Sequence, residues 1–301
     1  MTGARAAVTE SAGQALSKRE ARGIAGCSVA LDDRQFEEWV ILLERRVGLF
    51  MAPERRSFLA SGLRACMRET GHRDYRQYHD YMASASQHAE EWSLLVDRLT
   101  VHETCFFRHE SSMNLVRDAV LPAACEQGSS VTAWSVGCAT GEEAYSLAML
   151  IDDYCLSLPK VCSYRVIGTD ISAPSLRHAR AGVYLNRRLS DVSESLRQRY
   201  CQSVSNTRFA IDARLRENVE FFLMNLRDVA EAPFDNLNLI FCQNLLIYYD
   251  RPRRLQLVDC LAGFLCPGGV LVLGPGELLN WQHPNMEKMR FDDTLAYRRA
   301  E

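Results

Sequence analysis

The sequence predicts an α/β chain: a doubly wound, mostly parallel sheet, an all-helical domain ahead of it, and a small antiparallel β insert. Three observations carry this expectation. Between residues 32 and 100 the pattern is helical, with apolar positions recurring at spacings of three and four. From residue 131 onward, short β-rich runs alternate with helical stretches, the pattern of a parallel sheet covered on both faces. One interval of about forty residues, 181–219, breaks that alternation and is too long for a structureless connection.

The first segment, 1–30, is rich in Ala, Ser, Arg and Gly and has no periodicity, so it reads as a flexible tail. From Asp32, Phe36, Trp39, Val40, Leu43 and Val47 mark one helical face, with Asp32 and Asp33 as candidate caps. Pro53 suits a first helical turn, followed by Phe58, Leu59, Leu63 and Met67. Tyr75, Tyr78 and Met82 suggest a third helix, and Trp92, Leu95, Val96 and Leu99 a fourth. Residues 31–100 are therefore expected to form one helical domain, and 101–301 a second. In the latter, strands are expected at 131–136, 164–169, 219–223, 237–242 and 270–273, with helices at 142–154, 174–181 and 252–265. Within the insert, about 184–218, Phe209, Ile211, Ala213 and Leu215 alternate with polar residues and suggest a strand.

Bulk properties exclude several classes. The formal net charge is −3, so no global basic field points to nucleic acid. No apolar run approaches the roughly 20 residues needed to cross a bilayer, and the N-terminus lacks an apolar signal core. A cytoplasmic protein without direct membrane insertion is expected. The 11 cysteines are scattered, with no Cys-x-x-Cys, and no zinc-like histidine spacing accompanies them. They read as reduced, mostly buried small hydrophobes, with no metal site expected.

The chemistry concentrates around the strand–turn–helix of residues 131–154. The turn, Gly137-Cys-Ala-Thr-Gly141, lets a ligand approach the backbone and opens onto a helix N-terminus. It lacks the Gly-x-Gly-x-x-Gly of a dinucleotide fold. Glu142 and Glu143 follow at once, and Asp170 ends the next strand. Such acids would repel a pyrophosphate but suit a cationic ligand. S-adenosylmethionine carries a sulfonium and an ammonium and no phosphate. Asp170 can accept from both ribose hydroxyls, and Asn225, after the third strand, could meet an adenine edge. Each residue also has a plain reading: an acidic first turn complements the helix dipole, and Asp170 could cap the helix that follows. Cys242 ends an apolar strand without an evident His partner, so it reads as a small pocket-lining residue rather than a nucleophile. His102-Glu103 lacks the second His of a metalloprotease helix.

Four segments resemble the signatures of CheR-type chemoreceptor methyltransferases: Leu99-Thr-Val-His-Glu-Thr-Cys-Phe-Phe-Arg108, Ser135-Val-Gly-Cys-Ala-Thr-Gly-Glu-Glu-Ala-Tyr-Ser146, Gly168-Thr-Asp-Ile171 and Ile240-Phe-Cys-Gln-Asn-Leu-Leu-Ile-Tyr-Tyr-Asp250. Leu265-Cys-Pro-Gly-Gly-Val-Leu271 matches the end of that catalytic domain. The resemblance spans about 32–298 and includes a pilus-linked chemosensory branch of the family. It implies S-adenosylmethionine as methyl donor and S-adenosylhomocysteine as product. It carries cofactor contacts to His102, Thr104, Arg108, Glu143, Asp170, Asn225, Leu226, Cys242 and Gln243, and puts Arg108 and Tyr248 beside the transferring methyl as catalytic residues. The family pattern often has Asn where His102 stands and Arg where Gln243 stands. The implied reaction is O-methylation of glutamates on the cytoplasmic helical region of a chemoreceptor, on the periphery of membrane receptor arrays. The implied docking uses Arg64 and Arg68, one turn apart, together with the β insert. Arg55, Arg56, Arg73 and Arg76 flank that pair. Some members grip a receptor tail peptide with a Gly-Gly loop; here the segment is Cys201-Gln-Ser-Val-Ser-Asn-Thr207, so no tether is expected. The rival readings are a methyltransferase of the same fold acting on another substrate and a non-catalytic S-adenosylmethionine-binding regulator.

Overall fold

The structure is a computed structural model that describes residues 30–84, 88–100, 103–128, 130–278 and 280–300. The tail expected at 1–30 therefore lies outside the described residues except for Ala30, and so does His102. The helical domain holds α1 (Asp33–Val47), α2 (Arg56–Thr70), α3 (Tyr75–Ser84) and α4 (Ala89–Leu99). Local chemistry sets their ends. Asp32 accepts the Gln35 amide at 2.8 Å while the Gln35 side chain accepts the Asp32 amide, a reciprocal cap on α1. Gly48 and Gly71 close α1 and α2 in the left-handed region, at φ +70° and +78°. The faces read from spacing meet in one core built from Trp39, Leu43, Leu59, Leu63, Tyr78, Met82, Leu95 and Leu99.

Two short helices, α5 (Glu110–Leu115) and α6 (Leu121–Gln127), lead into the second domain. Then β1 (Ser130–Val136), α7 (Glu142–Ser157), β2 (Ser163–Asp170) and α8 (Ala173–Ala181) alternate. After the insert come β6 (Val219–Leu223), β7 (Leu237–Cys242), α11 (Arg251–Gly263), β8 (Leu265–Leu273), β9 (Met286–Phe291) and β10 (Thr294–Arg299). The seven strands run in the order β6-β2-β1-β7-β8-β10-β9. All pairings are parallel except those of β10, which is antiparallel to both neighbours. Alternate side chains enter two cores, one on each face: Ala133, Leu239 and Val272 on one, Trp134, Ile240 and Leu271 on the other. The strand order reverses at β1, between β2 and β7, which opens a crevice at the carboxyl ends of those strands.

The insert forms a three-stranded antiparallel sheet from β3 (Val183–Leu185), β4 (Cys201–Ser205) and β5 (Arg208–Ile211), with α9 (Glu194–Tyr200) between β3 and β4. Here the expectation needs a correction. The strand stops at Ile211, and Ala213 and Leu215 lie in α10 (Ala213–Glu217). Asp212 is the cause: its side chain caps α10 by accepting the Arg214 amide at 3.0 Å. A second difference lies at Pro267-Gly268-Gly269. The expected turn is a bulge inside β8, where Leu237 pairs with Leu265 but Leu239 pairs with Val270.

Trp134 is fully buried, and its indole N–H donates to the Thr169 hydroxyl at 2.9 Å across β1 and β2. Trp134→Phe leaves that hydroxyl buried without this donor and is expected to cost about 1–3 kcal/mol in urea unfolding, with the fold retained by circular dichroism.

Candidate functional site

The turn after β1 is held from three sides. The amides of Gly137 and Cys138 both donate to the Thr169 carbonyl, at 2.8 and 2.9 Å. The Ala139 amide donates to Asp170 Oδ2 at 2.8 Å, and the Ser172 amide to Oδ1 at 2.8 Å. One carboxylate thus ties the β1 turn to the start of α8. Glycine is required twice. Gly137 stands at φ +74°, and a Cβ there would lie 2.8 Å from a Leu245 methyl. Gly141 stands at φ +93°, and a Cβ there would lie 2.8 Å from that of Ala179.

A cleft runs across the strand ends in two adjoining halves. Gly137, Ala139, Asn244 and Tyr248 line both halves. One half continues over Asp170, Ile171, Met224 and Leu226, and is closed by Leu49 and Thr100 of the helical domain. The other continues over Thr104, Arg108, Glu143 and Gln243. Among the residues singled out by sequence, Thr104, Arg108, Glu143, Asp170, Leu226, Gln243 and Tyr248 therefore meet on one surface.

The acidic pair is split. Glu142 turns inward, is 1% exposed, takes the Thr140 hydroxyl at 2.6 Å and has Arg188 of the insert 3.9 Å away. Glu143 faces the cleft and accepts from Ser135 Oγ at 2.7 Å. Burial pushes the Glu143 carboxyl up to about 8; the Ser135 hydroxyl and Arg108 pull it down, and Glu277 adds to the rise. Arg108 is exposed at the cleft wall, where it donates to the Glu103 carbonyl at 3.0 Å.

Three residues stand differently from the sequence reading. Asn225 spends its side chain on the domain seam: Nδ2 donates to the Val47 carbonyl at 3.0 Å, and Oδ1 accepts the Arg227 amide at 2.9 Å. It is absent from the lining residues of the cleft, whereas its neighbours Met224 and Leu226 are among them. Cys242 is fully buried in the core beneath β7 and is likewise not a lining residue. Gln243 lines the cleft but donates Nε2 to Ser112 Oγ at 2.9 Å and to the Leu273 carbonyl at 3.2 Å, which leaves its buried Oε1 without a partner.

Two contributors escaped the sequence reading. Glu277, buried after β8, accepts the Gly274 amide at 2.9 Å. Burial raises its pKa, opposed by the amides of Gly274, Asn244, Ile247 and Leu246, so it sits beneath the loop that carries Tyr248. An acid at a strand end of a doubly wound sheet was its available signal, the same one that singled out Asp170. Arg55, read as part of a docking face, lays its guanidinium 5.2 Å from the centre of the Tyr248 ring. Phe50 also donates its amide to the Tyr248 carbonyl at 3.3 Å. Two lining residues, Ala139 (+47°) and Asn244 (+58°), and the two neighbours of Arg108, Phe107 (+55°) and His109 (+61°), hold positive φ. Such strain persists only where neighbours enforce it. Here the Phe107 amide donates to Ser146 Oγ at 2.9 Å, and His109 pairs with Asn244 at 3.0 Å.

Comparison with known proteins gives this cleft its family. Residues 102–295 match the CheR methyltransferase SAM binding domain, and 34–100 match the CheR methyltransferase all-alpha domain. The chain belongs to the CheR methyltransferase family. It is 29% identical to the chemotaxis protein methyltransferase of Escherichia coli, covering 85% of this chain and 87% of that one. It is 28% identical to chemotaxis protein methyltransferase 1 of Pseudomonas aeruginosa, covering 87% and 97%. It is 26% identical to the chemotaxis protein methyltransferase of Borreliella burgdorferi, covering 77% and 83%. The residues present fit the family's S-adenosylmethionine: the cleft floor is a glycine whose Cβ would have no room, its walls carry three acids, Glu103, Glu143 and Asp170, and the buried side-chain carbonyl oxygen of Gln243 stands unpaired at one end.

The Asp170 clamp has a consequence independent of any ligand. Asp170→Asn offers one acceptor and an NH2 group where two backbone donors converge. Ligand-free protein is expected to lose about 1–3 kcal/mol in chemical unfolding, with faster hydrogen exchange at Ala139 and Ser172.

Proposed function

We propose that the protein methylates glutamate side chains of a chemoreceptor's cytoplasmic helices, using S-adenosylmethionine, and that Arg108 and Tyr248 serve the transfer. The observation that carries this reading is an acid-walled cleft with Arg108 and Tyr248 in the half lined by Thr104, Glu143 and Gln243. When bound, S-adenosylmethionine supplies a methyl group on a sulfonium, and the electron pair of the broken carbon–sulfur bond returns to sulfur as a carboxylate oxygen takes the methyl.

The protein's share is binding, orientation and exclusion of water. Asp170 and Leu226 would hold the nucleoside end, with the Asp170 carboxylate as the acceptor for hydroxyl groups. Thr104, Glu143 and Gln243 would hold the amino-acid end, with Glu143 facing the ammonium. Thr104 is anchored there by its carbonyl, which accepts from Arg188 of the insert. A glutamate substrate has a pKa of about 4.3 and is already ionised, so no general base is needed. Opposite charges vanish as the methyl moves, so strong fixed charges at the reacting atoms would favour the ground state. Modest aiming of one oxygen by Arg108 and Tyr248 is the better design. Asn225 and Cys242 act from behind the cleft as seam and core residues.

For docking, Arg68 is exposed and Arg64 half-buried on α2, with Arg64 Nη1 3.5 Å from the Tyr75 hydroxyl. This face suits an acidic helix. The insert adds exposed Leu185 and Val204. No tail-peptide tether enters the proposal, and a receptor of a pilus-linked array is its narrower form. No helix among the described residues is long and apolar enough to cross a membrane.

The reaction is tested with labelled S-adenosylmethionine and membranes from the host. Label released as methanol by mild alkali supports it; base-stable label, or none on the receptor, removes it. Tyr248→Phe is expected to lower kcat at least about tenfold while affinity for S-adenosylhomocysteine stays within about twofold.

Glu143 yields a pH signature. With its carboxyl near 8, it is mostly protonated at pH 7 in the free protein, and a cation prefers the carboxylate. Binding of S-adenosylhomocysteine at pH 7 should therefore release protons, read by calorimetry in buffers of different ionisation enthalpy. Affinity rises from pH 6 toward 8 and falls as pH drops. Glu143→Gln should flatten both responses; an unchanged proton release in that variant refutes the assignment.

A further inference from the structure

At the end of the sheet opposite the cleft, three cysteines meet. Cys125 comes from α6, Cys155 from the last turns of α7, and Cys162 from the residue before β2. Their three sulfurs all lie within 4.8 Å of one another, and Cys125 and Cys162 are 3.7 Å apart. Cys125 and Cys155 are buried and Cys162 is half-exposed. These are the only three such groups found clustered for a metal among the described residues.

We propose that Cys125, Cys155 and Cys162 form a zinc-binding site of three thiolates, with the fourth position open to water on the solvent side of Cys162. Zinc–thiolate bonds of about 2.3 Å in a tetrahedron place sulfurs about 3.8 Å apart. The Cys125–Cys162 separation already matches, and the third sulfur needs a shift of about an ångström or less. A redox pair would need only two thiols, and the third converges here from a separate element. Soft thiolates select zinc over the hard cations. Coordination takes three thiol protons off to solvent as one Zn2+ comes on, which leaves a net charge of −1 on the centre. Lys160 stands beside it, its ammonium donating to the Cys125 carbonyl at 2.5 Å, and offsets that charge. The site would staple α6 and α7 to the start of β2. It lies about 18 Å from Glu143 along α7, by a rise of about 1.5 Å per residue, so it is separate from methyl transfer.

The full-length protein, purified under reducing conditions and stripped of metal, is titrated with Co2+ and then Zn2+. One equivalent of Co2+ should give a thiolate-to-cobalt charge-transfer band near the ultraviolet, and one equivalent of Zn2+ should abolish it. Zinc should also raise Tm. Cys125→Ser and Cys155→Ser should each lose the band, while Cys201→Ser and Cys260→Ser keep it. Circular dichroism and S-adenosylhomocysteine binding confirm that the variants are folded. A band that survives Cys125→Ser and Cys155→Ser, no saturable band in the parent protein, or a Cys125–Cys162 disulfide in freshly purified metal-free protein overturns the proposal.

Discussion

Both oxygens of the Asp170 carboxylate are occupied by backbone amides, one from the turn after β1 and one from the start of α8. Charge-assisted bonds of this kind are about twice as strong as neutral ones. Together with the two amides on the Thr169 carbonyl, they lock the turn against the end of β2. That lock allows Ala139 to sit at φ +47°, a conformation that costs an alanine on the order of 1–3 kcal/mol. With the turn fixed, Gly137 becomes the floor of the cleft, Glu143 points into it, and Glu142 points away.

The cleft is completed from outside the sheet. Leu49 and Thr100 close one half, Arg55 covers the Tyr248 ring, and Asn225 and Arg227 bond to backbone carbonyls of α1. Asp97 of α4 also accepts from the Ser172 hydroxyl, beside the Asp170 clamp. The helical domain is therefore part of the wall of the site as well as a surface for a partner. Phe107 and His109 hold positive φ in the segment that joins the two domains, and Asn244, just past the end of the strand Leu237–Cys242, meets that segment through His109.

Two acids, half-buried Glu143 and buried Glu277, shape the electrostatics. Glu143 and Glu277 each raise their pKa by burial, and Glu277 adds to the rise at Glu143. Burial favours the neutral form of both carboxyls, and a cation in the cleft would favour the charged form again. The cleft is thus poised for positive charge, while the opposite end of the same sheet gathers thiols.

Periodicity and turn chemistry made the helices, the parallel sheet and the glycine turn legible, because each depends on residues close together in the chain. The resemblance to a known family, rather than spacing, carried Thr104, Arg108 and Tyr248 to the site. The sequence by itself determined which segments alternate, where the glycine turn lies between strand and helix, and that acidic residues follow it. Tertiary structure decided the rest. It sent Glu142 inward and Glu143 outward, gave Asn225 to the domain seam, put Arg55 on Tyr248 and Glu277 beneath it, and gathered three distant cysteines. Those outcomes depend on distances between elements far apart in the chain, and no local pattern encodes such distances.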